Sequence, residues 1–141
     1  MNGTRYRSQL RTNVPGDTRV SGRFTEPGGA GAQTMTLVEG AQYYAKRTAD
    51  AGTYQVFFGS SSTNPDSFKG LVSFTATPII LDPATDTKVR FVQIKSIDTN
   101  SNGTVASVTF VTLNKTFAPT TLTTGDGIAF EAVVRGTEIK V

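Results

Sequence analysis

Apolar side chains come in short runs of Val, Ile, Phe and Tyr mixed with Thr, and Gly, Pro, Asn, Asp and Ser separate the runs. Runs of β-branched and aromatic residues bounded by turn formers mark strands. The spacing predicts eight strands, over about residues 18–25, 33–38, 41–48, 52–59, 70–81, 87–98, 103–114 and 126–136. No segment sustains helical spacing. The breakers stand where hairpins and crossovers need them: residues 26–31 (EPGGAG), 49–52, 60–66, 82–83, 117–119 and 124–127. The fold class expected is all-β, a single-domain antiparallel β-sandwich of jelly-roll type. It spans residues 17–141 and is preceded by an extended N-terminal arm, residues 1–16.

Three strands break the simple alternation. Phe57-Phe58, Ile79-Ile80-Leu81 and Ala132-Val133-Val134 place large apolar groups on both faces, because successive strand residues point in opposite directions. Either loops of the same chain cover the second face, or another subunit does. Under the second reading Phe57 and Phe58 form a subunit interface.

The hairpin over residues 96–110 carries a rival signal. Asp98-Thr99-Asn100-Ser101-Asn102-Gly103 matches the opening of an EF-hand calcium loop, D-x-[DN]-x-[DN]-G. Position twelve of such a loop holds a bidentate Glu, and here it is Thr109. Both flanks are strands, and Asn-Gly strongly favours a two-residue type I′ turn. That turn pairs Val92 with Leu113, Ile94 with Val111, Ile97 with Val108 and Asp98 with Ser107. A four-residue loop would instead set Lys95 against Val108 and Gln93 against Phe110, wasting apolar pairs. The expectation is a plain hairpin and no metal.

Composition narrows the chemistry. The chain of 141 residues has no Cys and no His. Those absences exclude thiolate or His-rich metal sites, Ser-His and Cys-His catalysis, and the neutral-pH base enzymes use most. Asp82, Asp86 and Asp126 lie in turns and read as caps rather than a catalytic pair. No nucleotide-binding glycine pattern occurs; residues 26–31 lack both the Walker Lys and a strand-to-helix context. No catalytic residue and no cofactor are expected. An apolar signal core is missing at the front, and no run reaches the roughly 18 apolar residues of a membrane span. A soluble product made in a cytoplasm, with no membrane partner, is therefore expected.

Net charge is +3, unevenly placed. Residues 1–47 carry seven Lys and Arg against three acids, and residues 48–141 carry seven against eight. Arg5, Arg7 and Arg11 precede the first acid in a segment too polar for a core element. Such an arm suits docking on an acidic protein surface through Arg–carboxylate pairs. It also fits an inert tail or weak phosphate contact, although a near-neutral body gives nucleic acid little to hold.

Two stretches carry a resemblance. Residues 45–58, AKRTADAGTYQVFF, are similar to the x-R-t-x-x-G-T-Y-x-V-x-F segment of small all-β virion proteins of tailed bacteriophages. Residues 124–135, TGDGIAFEAVVR, are similar to their closing D-G-x-i-x-f-x-x-v-x-R strand. The resemblance covers about residues 41–136. It implies a capsid decoration (cement) or head-fibre protein of the virion, without enzymatic activity. It also implies a homotrimer whose partner is the major capsid protein or another virion protein, with the arm reaching across neighbouring subunits. Arg5, Arg7 and Arg11 as docking residues rest on charge alone. A tail-fibre or receptor- and glycan-binding module is the rival reading, with Tyr43-Tyr44 and the loop over residues 60–66 as its candidate sugar contacts.

Overall fold

A computed structural model describes residues 17–82 and 86–136 of the chain; Arg5, Arg7, Arg11 and the proposed arm lie outside them. Nine strands form two antiparallel sheets: β1 Thr18–Thr25, β2 Gln33–Thr34, β3 Thr36–Gly40, β4 Tyr43–Arg47, β5 Thr53–Phe58, β6 Gly70–Ile79, β7 Phe91–Thr99, β8 Val105–Leu113 and β9 Gly127–Arg135. One sheet has the order β3-β1-β9-β6 and the other β2-β4-β5-β8-β7. Among the described residues the only helical turn is a short 3-10 segment, Asp86–Lys88. The sheets pack face to face as a β-sandwich, as the alternation requires.

The core follows the period-two rule. Tyr43 and Ala45 of β4, Tyr54, Val56 and Phe58 of β5, and Val108 and Phe110 of β8 are buried from one side. Val20 and Phe24 of β1, with Ile128, Phe130, Ala132 and Val134 of β9, meet them from the other. Aromatic rings join the layers: Tyr43 stands edge-on to Phe130 at 4.9 Å, and Phe74 of β6 contacts both Phe110 and Phe130. Such contacts add about 0.5–1.5 kcal/mol per pair beyond the area they bury.

The strand expected over 33–38 is two strands, one in each sheet. Gln33 and Thr34 pair with β4, whereas Thr36 and Leu37 pair with β1. Met35 is the corner between them; it is 3% exposed and its amide bonds the Ala45 carbonyl. A run of apolar and Thr residues cannot show such a crossing, because both halves have the same local pattern.

The β7–β8 hairpin departs from the expected register in two places. Ile97 faces Val108 and Asp98 faces Ser107. Val92, however, faces Thr112, and Ile94 faces Phe110, one position off the expected partners Leu113 and Val111. A bulge between Ile94 and Ser96, at Lys95, causes the slip. The turn is not type I′ either. Asn100 accepts the Gly103 amide and donates its own to Thr104, and Gly103 alone has positive φ, at 87°. This is a type I turn closed by a left-handed glycine, the three-residue alternative for hairpins. Asn102 stays right-handed because its side-chain oxygen accepts both the Thr104 amide and the Thr104 hydroxyl.

Candidate functional site

The buried polar chemistry lies at one end of the sandwich. Arg47 follows Tyr43 and Ala45 on the inward stripe of β4, and Glu26 follows Phe24 beyond the end of β1. The two side chains therefore meet between the sheets, 4% and 2% exposed. Arg47 Nη1 pairs with Glu26 Oε2, while Nε and Nη2 donate to the Gly31 and Gly29 carbonyls. Tyr54 donates to Glu26 Oε1 at 2.8 Å and accepts the Leu122 amide at 3.0 Å. The Gly28 amide completes the carboxylate. A buried ion pair persists only with its remaining lone pairs and protons satisfied, as they are here. Burial pushes the Tyr54 phenol well above its ordinary range, outweighing the opposing bond from Leu122. The cluster fastens the glycine-rich 26–31 loop and the 121–122 segment to the second sheet.

This cluster accounts for the R-T-x-x-x-G-T-Y run over residues 47–54. Arg47 and Tyr54 both bind Glu26, and Gly52 between them has φ 67° with no room for a Cβ beside the Thr112 carbonyl and the Thr120 amide. These residues build the fold. Sequence reasoning missed their meeting, although the parity of Tyr43, Ala45 and Arg47 already turned Arg47 inward.

Asp98, first residue of the calcium-like stretch, lies on the outer face of the β5–β8–β7 sheet. Its Oδ2 accepts Gln55 Nε2, Ser107 Oγ and Thr109 Oγ1 at 2.8–3.1 Å, and Oδ1 accepts Ser96 Oγ. The neighbouring oxygens serve as donors to the carboxylate, and Asn100 and Asn102 turn to their own loop. Asp126 is likewise structural. Its Oδ1 accepts the Leu81 amide and lies 3.5 Å from Lys88 Nζ.

Phe58 is fully buried in the core and Phe57 is 8% exposed, so neither offers apolar surface to a second subunit. Phe57 faces outward as expected, but its own sheet covers it. Tyr44 packs edge-on at 6.0 Å and Lys46 Nζ sits 5.4 Å from the ring centroid. Tyr43 is buried, bonding the Arg23 and Glu39 carbonyls, and cannot stack on a sugar.

The exposed apolar surface lies elsewhere. Of the nine large apolar side chains exposed among the described residues, Phe91, Ile94, Ile97 and Phe117 belong to β7 and the turn after β8. Phe91 and Phe117 are 46% and 69% exposed and stack at 5.5 Å. Phe117 has φ 64°, a left-handed conformation that costs a non-glycine residue roughly 1–3 kcal/mol. Asn114 holds it there: its side-chain oxygen accepts the Thr116 and Ala118 amides, and its carbonyl accepts the Phe117 amide. Pro119, bridged to Leu113, leads into an adjoining groove of about 530 Å³ walled by Ala51, Ile94, Val111 and Pro119. Sequence reasoning passed over this surface; the one available signal was a lone Phe inside the breaker segment 117–119.

Comparison of the chain with protein-family models, curated proteins and solved structures finds no match.

Proposed function

We propose that the chain is a non-enzymatic virion structural protein, a capsid decoration (cement) protein. In this reading it binds the outside of a phage head as a homo-oligomer and stabilises the shell. The observation that carries it is the outer face at β7 and β8. There an exposed aromatic pair is held in a fixed geometry beside an apolar groove, on a sandwich whose buried ionisable groups hold the fold together. A rigid apolar surface of this kind serves association, since a side chain already ordered loses little entropy on binding. The resemblance of residues 45–58 and 124–135 supplies the setting. Repeated attachment over a shell then multiplies weak contacts through effective concentration.

The test is to mix the purified protein with empty phage heads. Co-sedimentation together with a higher melting temperature of the heads is expected; heads that pellet without the protein exclude the role.

A second reading has one observation in its favour. The loop over residues 60–67 and the turn at Asn100–Thr104 enclose a cleft of about 310 Å³ lined by neutral amides and hydroxyls, among them Asn64, Ser67, Asn100 and Asn102. A receptor- or glycan-binding tip would use such groups for sugar hydroxyls. Binding to host cells rather than to shells would select it.

A further inference from the structure

We infer that Asn102 is a site of spontaneous deamidation which the folded hairpin holds shut, with the Thr104 hydroxyl as its gate. The inference is independent of the proposed role.

The chemistry needs only water. The Gly103 nitrogen attacks Asn102 Cγ and gives up its proton, the bond from Cγ to the side-chain nitrogen breaks, and ammonia leaves behind a five-membered succinimide. Water then opens one of the two ring carbonyls, giving aspartate or, with the backbone rerouted through the side chain, isoaspartate. Glycine after asparagine favours the first step, because no Cβ stands beside the attacking nitrogen. Asn102 and Gly103 are both exposed, and the space beside Gly103 is open to 4 Å, so solvent reaches the reacting atoms.

The turn opposes ring closure at three points. Asn102 is residue i+2 of the type I turn, where ψ lies near zero, and closure must eclipse the Gly103 nitrogen with Cβ, about a third of a turn away. The Gly103 amide donates to the Asn100 carbonyl at 2.9 Å, so losing its proton also loses that bond. The carboxamide itself is tied down: Asn102 Oδ1 accepts the Thr104 amide at 3.1 Å and the Thr104 hydroxyl at 2.7 Å. Thr104 is anchored in turn. It is buried, its hydroxyl accepts Asn100 Nδ2 at 2.9 Å, and the same Nδ2 donates to the buried Ser67. One buried residue thus fixes an exposed carboxamide, and cyclisation must wait for the turn to open locally. Once it occurs, a carboxylate replaces a neutral amide on the wall of the cleft beside Asn64 and Ser67.

The test is to incubate the full chain at mildly alkaline pH, either folded or unfolded in guanidinium, and digest it with trypsin. Chromatography and mass spectrometry of the peptide over residues 96–115 then separate its Asn, Asp and isoaspartate forms. The folded wild type is expected to deamidate at least ~10-fold more slowly than the unfolded chain. Thr104→Val, which exchanges the hydroxyl for a methyl, should speed the folded reaction at least ~3-fold, while Thr104→Ser keeps the wild-type rate. Tyr54→Phe weakens the fold away from this turn and should leave the rate at Asn102 unchanged. Equal rates in the folded and unfolded wild type overturn the proposal. So does Thr104→Val at the wild-type rate, Thr104→Ser as fast as Thr104→Val, or Tyr54→Phe accelerating the reaction as much as Thr104→Val does.

Discussion

Arg47 and Glu26 behave as one unit, and removing either leaves the other buried without its partner. Arg47→Met or Glu26→Gln is therefore expected to lower unfolding free energy by about 3–5 kcal/mol in urea titrations. A cost below about 1 kcal/mol would show that water replaces the missing partner. Tyr54→Phe keeps the ring stack on Phe110 but leaves Glu26 and the Leu122 amide each short of a bond. A smaller loss, roughly 1–3 kcal/mol, is expected from the same titration. At this scale the sequence was partly legible. Strand parity turned Arg47 inward, yet nothing local set Glu26 opposite it, 21 residues away.

The hairpin of β7 and β8 shows how one residue displaces a register. Up to Asp98 and Ile97 the expected partners hold, and past the bulge at Lys95 each partner moves by one. An extra residue in one strand is invisible to apolar counting, because Val occurs on both faces of β8, Val108 on one and Val111 on the other. The carboxylate of Asp98 stabilises the outer face through its hydroxyl and amide donors. Asp98→Ala is expected to cost about 1 kcal/mol, and calcium or a chelator should leave the wild-type melting temperature unchanged. A rise of several degrees on adding calcium would overturn that account, and the hydrogen-bonded carboxylate would then have to open to the ion. The calcium-like spacing is thus turn and ladder chemistry sharing the letters of a metal loop.

For the whole molecule, the two core tyrosines link stability to pH. Burial raises the Tyr43 and Tyr54 phenols above the ordinary value of 10.0, Tyr54 by much the larger amount. Above about pH 10 the unfolded chain releases protons that the folded chain still holds, so stability falls as pH rises. Both contributions are fully present below that point. Thermal melts should be unaffected by these groups at neutral pH and shift down steadily above pH 10, with phenolate absorbance from the two rings appearing only as the chain unfolds. Early ionisation of both rings in the folded protein would contradict their burial. By itself the sequence determined the all-β class, the two-sheet sandwich and most strand positions, because period-two alternation and turn residues act over a few neighbours. Only tertiary structure decided that residues 33–38 cross between sheets, that Glu26 and Arg47 share the core, that Phe57 is covered by Tyr44 and Lys46, and that Phe91 and Phe117 form the exposed patch. Each depends on which distant strand lies alongside, and that choice is made by packing both sheets at once rather than by any local run of residues.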